Sequence, residues 1–381
     1  MADDRPDITI FLMWVGGGGK ETVVWNLARG FLDGGYRVDL VLGNAASEYL
    51  NKVPPGVRIV DLKTHGYLRT TVKLFLYMVR RRPRVLFSTL PFSAIPAIAA
   101  RYLSLSRCRV VVRVCNNLAR RFEHERPAFP RRVRWALRYF PRLAHGVVAC
   151  STGVAGEISG ITGIPRDRIH VLYNPAITEE MEKQGAEPVE HEWLASRDSA
   201  GQVPPVILGV GRLARQKNFA LLIRAFAEVR RDTDAKLLIL GEGPERPRLE
   251  RLVQELGLED DVSLPGYVAN PCAYMARARV FVLSSSWEGF ANVVAEALAV
   301  GTPVVSTDCP NGPAEVLGDG RYGILVPVDD QAAMASGIRR VLEGERRAVS
   351  GDWLRRFTAR DVVGRFLDLF HLERSKEAAP G

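Results

Sequence analysis

Residues 8–42, ITIFLMWVGGGGKETVVWNLARGFLDGGYRVDLVL, decide the fold of the first part of the chain. The apolar run at 8–15 has the composition of a buried strand, and four glycines follow it. The pattern then predicts a helix over about 20–32, a glycine pair that ends it, and a second strand over 37–42. Strand, helix and strand in this order predict a parallel sheet with a right-handed crossover.

The same alternation continues along the chain in two blocks. Further strands are predicted at 85–88, 109–114 and 146–149 in the first block, and at 206–211, 236–241, 262–266, 280–285, 303–307 and 323–327 in the second. Helical patterns separate these strands. Two such blocks predict two doubly wound α/β domains.

The boundaries follow from the stretches that lack this alternation. A polar, non-periodic segment predicts a linker over 179–204, between a first domain at 1–178 and a second at 205–357. A final amphipathic helix within 358–374 is expected to pack back on the first domain. The last residues, 375–381, are predicted to form a disordered tail.

Composition excludes several classes of protein. With 381 residues, 47% apolar and 25% charged, the chain is typical of a globular protein. The N-terminus lacks a signal-peptide pattern, and the longest apolar tract, 85–100, is too interrupted to span a bilayer. Five scattered cysteines without a CxxC or His/Cys cluster predict neither a disulfide framework nor a metal site, and they suit a reducing cytoplasm.

The charge is concentrated in the first half. The net charge is +9, and residues 69–142 hold 18 basic but only two acidic residues. This asymmetry indicates an anionic partner for the first domain.

The glycine loop fits neither of two common nucleotide motifs. A dinucleotide fingerprint requires glycine at position 21 or 22, where Glu21 and Thr22 stand, although Asp39 lies at a spacing typical of a ribose contact. A P-loop requires a hydroxyl residue in place of Glu21 and glycine in place of Trp14. Two interpretations remain: a tight turn without a ligand, or a phosphate site at a helix N-terminus.

The second block carries a paired cation motif in GVGRLARQKNF, residues 209–219. Arg212 and Lys217 follow its first strand, at the sheet edge where ligands of open α/β sheets bind. An arginine fork and a lysine point charge suit a diphosphate. The alternative is two solvated loop cations.

Two glutamates lie in SSSWEGFANVVAEALAVGTPVVSTDCPNGPAEVL, residues 284–317. Glu288 precedes a helix, and Glu296 lies inside it among apolar residues, where a carboxylate must be paired or bound to a ligand hydroxyl. Residues 289–292 would present N–H groups at the helix N-terminus. Together these groups indicate a nucleotide-sugar site; the alternative for Glu296 is a buried salt bridge.

Taken together, these elements resemble the retaining glycosyltransferases of the GT-B fold, family four, which build bacterial cell-surface polysaccharides and lipid-linked glycans. Glu288 and Glu296 match the E-x7-E element, and GRLARQKN is similar to the family's Arg/Lys motif. GGGGKE resembles its glycine loop. The resemblance implies two Rossmann-like domains that face each other across a cleft.

The resemblance also implies roles for individual residues. The donor contacts would be Gly18, Gly19, Arg212 and Lys217 at the diphosphate, Tyr267 and Val268 at the base, Glu288, Gly289, Phe290 and Ala291 at the sugar, Asn292 and Val293 at the phosphates, and Glu296 at the ribose. The expected donor is a nucleotide diphosphate sugar, with UDP the expected nucleotide, and the sugar a hexose or N-acetylhexosamine. The resemblance implies that no metal or other cofactor is needed, which agrees with the lack of a His/Asp cluster in the sequence. It also implies that the leaving phosphate would help to deprotonate the acceptor and that anomeric configuration would be retained.

One segment departs from the family pattern. In VVRVCNNLARRF, residues 111–122, Cys115 stands where many relatives carry a histidine near the donor sugar. Cys115 would substitute weakly for the histidine, or its neighbours Arg113 and Asn117 would do the polar work. The third interpretation is a small buried residue at a strand end.

Basic residues at helical spacing predict a membrane contact. They are Arg131, Arg134, Arg138 and Arg142, together with Arg80, Arg81 and Arg82 at the end of an amphipathic stretch whose side at 68, 72, 75, 76 and 79 is apolar. Such helices suit an anionic lipid surface, so we expect peripheral association with the cytoplasmic face of the membrane and a lipid-linked or cell-surface glycan acceptor. The alternative is a solvated helix over the core.

Two other classes compete with a transferase. A non-transferase of the same fold, such as a nucleotide-sugar epimerase or a phosphorylase, would use a similar donor site. The basic half could instead bind nucleic acid. The chain carries no recognisable nucleic-acid module, so no nucleic-acid partner is predicted; the sequence leaves the oligomeric state open.

Overall fold

The computed structural model describes residues 5–16, 19–89, 91–115, 138–195 and 204–372. The chain divides into two compact units. The first comprises the chain up to Pro175 together with the part from Thr358 onwards, and the second is Ala176–Phe357. The predicted tail at 375–381 lies outside the described residues.

The first unit is built on a seven-stranded parallel sheet. Its strands are β1 (Ile8–Trp14), β2 (Val38–Asn44), β3 (Arg58–Asp61), β4 (Val85–Thr89), β5 (Arg109–Val114), β6 (Gly146–Ala149) and β7 (Ile169–Val171). The order β3-β2-β1-β4-β5-β6-β7 reverses direction between β1 and β4. Ligands of doubly wound sheets bind at the carboxyl edge beside such a reversal.

Four helices of the first unit precede the division at Pro175 within the described ranges. They are α1 (Gly19–Asp33), α2 (Tyr67–Arg81), α3 (Pro91–Leu103) and α4 (Thr152–Thr162). Val24, Leu27 and Phe31 recur at helical spacing in α1, and all three are buried against the sheet. The strand–helix–strand unit predicted from residues 8–42 is therefore confirmed.

The second unit is built on a six-stranded parallel sheet of order β10-β9-β8-β11-β12-β13. Its strands are β8 (Val206–Val210), β9 (Lys236–Leu240), β10 (Val262–Gly266), β11 (Val280–Leu283), β12 (Val304–Thr307) and β13 (Ile324–Val326). The order reverses between β8 and β11, so the loops that follow these two strands flank the carboxyl-edge crevice.

The helices of this unit cover its sheet. They are α5 (Met181–Ala186), α6 (Glu192–Ala195), α7 (Phe219–Arg230), α8 (Arg246–Glu255), α9 (Pro271–Arg277), α10 (Asn292–Ala299), α11 (Pro313–Val316), α12 (Gln331–Leu342) and α13 (Gly351–Arg355). One continuous core contains the apolar faces of α7, α8 and α12 and the inward residues of the strands. The predicted pair of doubly wound α/β domains is confirmed.

The structure divides the chain earlier than the sequence predicts. The segment predicted as a linker, 179–204, contains α5 and α6, and the described part of it belongs to the second unit. Asn270 Nδ2 donates to the Gln184 carbonyl at 2.8 Å, and Arg277 Nη1 donates to the Gly185 carbonyl at 3.0 Å. These bonds hold a polar segment against α9, and no apolar period in the sequence signals them.

The last helix, α14 (Ala359–Phe370), returns to the first unit, as the sequence predicts. Phe366 packs on Phe87 with ring centroids 5.3 Å apart, and Phe370 packs on Phe31 at 5.6 Å. No helix in the described ranges combines the length and apolarity needed to cross a bilayer.

Candidate functional site

The predicted donor residues of the second unit follow the carboxyl ends of three strands. Arg212 and Lys217 come after β8, Tyr267 and Val268 after β10, and the 288–293 loop after β11. Since β8 and β11 are neighbours at the reversal of strand order, their loops lie at one place on the sheet edge. The structure therefore brings these residues to the carboxyl edge of the sheet, and their role as donor contacts stays a prediction.

Lys217 and Glu288 form a partly buried ion pair in this crevice. Lys217 Nζ lies 2.6 Å from Glu288 Oε1, and both side chains are largely shielded from solvent. Ser285 Oγ donates to the same carboxylate oxygen at 2.7 Å. Ser285 is not among the residues predicted from the sequence, although the serine run after β11 signals a polar strand end.

Bonds between the two flanking loops fix the position of Lys217. Ser284 Oγ donates to the Lys217 carbonyl at 2.8 Å, and Gln216 Nε2 donates to the Trp287 carbonyl at 2.8 Å. The turn Arg215–Lys217 ends at Asn218, which adopts a left-handed conformation with φ of 47°. The Lys217 ammonium is thereby positioned before any ligand binds.

Glu296 lies on α10 without a compensating partner. In the described part of the chain, its carboxyl accepts no side-chain hydrogen bond and joins no ion pair. Burial raises the pKa of Glu296 to about 7, an effect that the nearby Lys217 charge partly offsets. The buried-salt-bridge alternative is therefore wrong for Glu296, and a ligand hydroxyl remains as the expected partner.

The loop before α10 reaches its shape through a close contact that needs glycine. Ala291 precedes α10 in a left-handed conformation, with φ of 67°, and its side chain cannot cap the helix. Phe290 is buried, and its ring lies 5.7 Å from that of Phe357. A Cβ on Gly312 would lie 2.5 Å from the Phe290 Cα, so only glycine lets the loop after β12 approach.

The loop that carries Arg212 depends on two glycines that were not predicted from the sequence to be important. A Cβ on Gly241 would lie 2.0 Å from the Gly211 carbonyl oxygen, and one on Gly243 would lie 2.3 Å from that of Leu213. The Leu213 N–H donates to the Glu242 carbonyl at 2.9 Å. The GEGP run after β9 is the signal that could have indicated this contact. The Arg212 side chain is exposed.

The glycine loop of the first unit is described in part. Gly18 lies outside the described residues, and Gly19 begins α1. The Gly16 N–H donates to Glu21 Oε1 at 3.1 Å, so Glu21 binds the backbone of the turn from the first helical turn. Closure of this loop over a donor diphosphate stays a prediction.

The structure also argues against the dinucleotide interpretation through Asp39. This carboxylate is buried, lies 2.7 Å from Arg58 Nη2, and accepts a 2.5 Å hydrogen bond from the Tyr77 hydroxyl. It is therefore fully engaged within the fold and is not available to a ribose.

Arg113 is the last residue but one of β5 and is a fully buried cation. Its Nη2 donates to Asn174 Oδ1, whereas its Nε and Nη1 have no hydrogen-bond partner among the residues that the structure describes. Cys115 follows the strand and is partly exposed, so the interpretation of a small buried residue is wrong for it. Asn117 lies outside the described residues.

We expect Arg113→Met to leave the melting temperature unchanged or to raise it. Arg113 has no counter-ion in the described ranges, and a buried unpaired cation opposes folding, so an apolar side chain of similar length removes that cost. If Arg113 makes a polar contact with the reacting groups, turnover of the variant falls at least about tenfold, while the donor still raises the melting temperature. Calorimetry and initial rates on one preparation measure both effects. Full activity in a stable variant would contradict a role in the reaction.

The predicted basic surface is described in part. Arg80 and Arg81 end α2, and Arg82 follows it in a left-handed conformation. Arg138 is exposed, whereas Arg142 donates to the Thr162 carbonyl and therefore binds the unit's own backbone. Arg131 and Arg134 lie outside the described residues. No group of His, Cys, Asp and Glu in the described ranges is arranged to hold a metal ion.

Two family models match successive parts of the chain. The family described as Glycosyltransferase Family 4 matches residues 17–180, and the family described as Glycosyl transferases group 1 matches residues 204–344. This chain belongs to the family 4-like glycosyltransferases. Its fold agrees, because the apo lipopolysaccharide outer core galactosyltransferase WaaB is similar at a TM-score of 0.74 and 21% identity, over 96% of this chain and 98% of that one.

Two curated relatives have a higher sequence identity to this chain than WaaB has, each over about half of its length. An N-acetylgalactosamine-N,N'-diacetylbacillosaminyl-diphospho-undecaprenol 4-alpha-N-acetylgalactosaminyltransferase of Campylobacter jejuni is 41% identical over 47% of this chain and 46% of its own length. The lipopolysaccharide core biosynthesis glycosyltransferase LpsD of Rhizobium meliloti is 35% identical over 43% of this chain and 49% of its own length. The chain thus spans about half the length of the curated relatives it matches.

Proposed function

We propose that the chain is a retaining glycosyltransferase that moves a hexose or N-acetylhexosamine from a UDP-sugar to a lipid-linked or cell-surface glycan at the cytoplasmic face of the membrane. One observation carries the proposal. The Lys217–Glu288 ion pair and the unpartnered carboxyl of Glu296 belong to one carboxyl-edge crevice. A nucleotide sugar fits these groups, because the cation can bind its phosphates and the carboxyl can accept hydrogen bonds from its hydroxyls.

The proposed donor contacts use groups that the fold has already positioned. The diphosphate replaces Glu288 as the ion-pair partner of Lys217, because the diphosphate carries more negative charge than one carboxylate. It also binds the exposed Arg212. Glu288 then accepts hydroxyl hydrogens of the sugar, and Glu296 those of the ribose. The backbone at Tyr267 meets the base.

In this proposal the chemistry at the anomeric carbon needs no protein nucleophile. The leaving phosphate, held by Arg212 and Lys217, helps to deprotonate the acceptor hydroxyl on the same face of the sugar, so configuration is retained. Positioned cations stabilise the charge that develops on the leaving group. We expect activity to persist in the presence of a chelator.

The acceptor class is supported by the names of two relatives. The Campylobacter jejuni relative is named for a diphospho-undecaprenol substrate, and the Rhizobium meliloti relative for the lipopolysaccharide core. The basic first half of this chain suits such anionic, membrane-bound acceptors.

The test is a thermal-shift panel of UDP-, GDP-, ADP- and TDP-sugars, since a ligand specific for the folded state raises its melting temperature. We expect one UDP-sugar to give the largest shift and Lys217→Ala to abolish it. NMR of the product then reports its anomeric configuration. Failure of every nucleotide sugar would contradict the donor site, and an inverted product would contradict retention.

The same panel separates the competing functions. Conversion of the stabilising donor into its epimer without an acceptor would indicate an epimerase, and absorbance from a lysine-bound pyridoxal phosphate would indicate a phosphorylase. Salt-sensitive retention of nucleic acid on a filter, without donor binding, would indicate a nucleic-acid-binding protein.

A further inference from the structure

An apolar stripe runs along the solvent side of α2. Leu68, Val72, Leu76 and Val79 recur at intervals of four, four and three residues, which places them on one face of the helix. Their exposed fractions are 78%, 49%, 42% and 44%. We call these four residues the α2 outer stripe. Single exposed apolar residues are common in proteins, but a continuous row is typical of an interaction surface.

The core does not need this stripe, because α2 packs through its opposite face. Thr70, Leu74, Tyr77 and Met78 are the buried residues of the helix. The Tyr77 hydroxyl reaches into the sheet, where it contacts Asp39 at 2.5 Å and Thr9 at 2.9 Å. These contacts fix the rotation of α2 about its axis, so the outer stripe stays exposed in the folded unit.

The charges beside the stripe have one sign. Arg69, Lys73 and Arg80 are exposed and follow one edge of the stripe at helical spacing. None of the three joins an ion pair in the described part of the chain. The sequence contains no aspartate or glutamate between Asp61 and Glu123. A protein partner would need a matching acidic surface, whereas an anionic bilayer offers both acidic headgroups and an apolar interior.

The start of α2 lies at the functional edge of the first unit. Helix α2 connects the carboxyl end of β3 to the amino end of β4, so Leu68 lies at the carboxyl edge of the sheet. The glycine loop after β1 and Cys115 after β5 lie at the same edge. A membrane that contacts the start of α2 is therefore close to the groups expected to meet an acceptor.

We propose that the α2 outer stripe inserts into the acyl region of an anionic bilayer while Arg69, Lys73 and Arg80 bind its headgroups. The inference rests on the proposed membrane-bound acceptor, and it adds the surface and the mode of attachment. Attachment by charge alone would disappear in high salt. Insertion adds a component that salt does not remove, because burial of apolar side chains does not depend on screening.

The test compares variants in co-sedimentation with vesicles of phosphatidylglycerol and phosphatidylcholine. Leu68→Gln/Leu76→Gln is expected to weaken binding at least about tenfold, and to remove the part that persists at high salt. Arg69→Gln/Lys73→Gln/Arg80→Gln is expected to weaken binding at low salt only. Ile59→Gln is the matched control, because Ile59 is 42% exposed on an edge strand and lies outside α2.

A second measurement reports directly how deeply α2 inserts into the bilayer. Leu68→Trp should add fluorescence that lipids brominated on the acyl chain quench, after subtraction of the native protein's signal. Absence of that quenching, or unchanged binding by the Leu68→Gln/Leu76→Gln variant, would overturn the proposal. So would a native dimer that this variant converts to monomers in sedimentation velocity, since a second copy would then cover the stripe.

The donor experiment separates this inference from the proposed function. Stabilisation by a nucleotide sugar without vesicles depends on the second unit, and Leu68→Gln/Leu76→Gln should leave it unchanged. Vesicle insertion without donor binding would reject the transferase and keep the surface. Donor binding without vesicle insertion would support the transferase and reject the membrane-inserting surface.

Discussion

Replacing Lys217 by alanine is expected to abolish donor binding and to lower turnover at least about 10³-fold. The substitution removes the cation that the proposed mechanism places on the leaving diphosphate, where charge develops in the transition state. It should also destabilise the fold by about 3 kcal/mol, because Glu288 is then a buried carboxylate that has lost its cation, with Ser285 as its one remaining side-chain partner in the described ranges. Calorimetry, donor titration and initial rates measure the three effects.

A double variant separates the role of Lys217 in folding from its role in the reaction. Lys217→Met/Glu288→Gln removes both charges and keeps both volumes, so its melting temperature should return close to that of the native protein. Its activity should not return, since neither the phosphate cation nor the sugar-binding carboxylate is present. A stable double variant with native donor affinity would refute the site, whatever the single variant shows.

Replacing Glu296 by glutamine is expected to weaken donor binding about 100-fold at pH 8, and replacement by alanine more. A carboxylate accepts hydrogen bonds from the ribose hydroxyls more strongly than an amide does. The pKa of Glu296 is raised to about 7, so most molecules carry a proton there at pH 6 and most carry the charge at pH 8. Native affinity should therefore rise about tenfold from pH 6 to pH 8.

The Glu296→Gln variant should lose this pH dependence. An intact nucleotide sugar is the right ligand, because its diphosphate does not titrate between pH 6 and pH 8. The stability effect has the opposite sign: the raised pKa means that the native fold loses stability as pH rises from about 4.5 to about 7. Glu296→Gln should therefore melt no lower than the native protein at pH 8. An equal pH slope in both proteins would contradict the assigned titration.

The α2 helix shows where prediction from sequence stops. The spacing places Leu68, Val72, Phe75, Leu76 and Val79 on one side, and all of these except the partly buried Phe75 are exposed in the structure. An apolar stripe of this kind is equally typical of a core-facing surface. Tyr77 decides between the two, because its hydroxyl bonds to Asp39 and Thr9 and turns the stripe outwards. The partners of Tyr77 lie 38 and 68 residues away, beyond the reach of any periodic pattern.

Glu296 and Asp39 are two carboxylates whose partners the sequence does not identify. Each interrupts an apolar stretch, and the same composition suits a ligand contact or a buried ion pair. The structure gives Asp39 a partner in Arg58, and within the part of the chain that it describes it gives Glu296 no side-chain partner. Only the positions of side chains from other strands and helices could make this distinction.

The sequence alone determined the two α/β domains and most of their strands and helices, although the short strands β3 and β7 were not predicted. It also predicted the sheet edge at which the proposed donor residues lie. These features follow from local hydrophobic periods and from turn chemistry, which each segment carries within itself. The tertiary structure decided which loops meet. Gln216 binds the Trp287 carbonyl across 71 residues, and Gly312 gives Phe290 room to approach. Such contacts depend on close packing between distant segments, so the ion pair of Lys217 and the unpartnered state of Glu296 exist only in the folded chain.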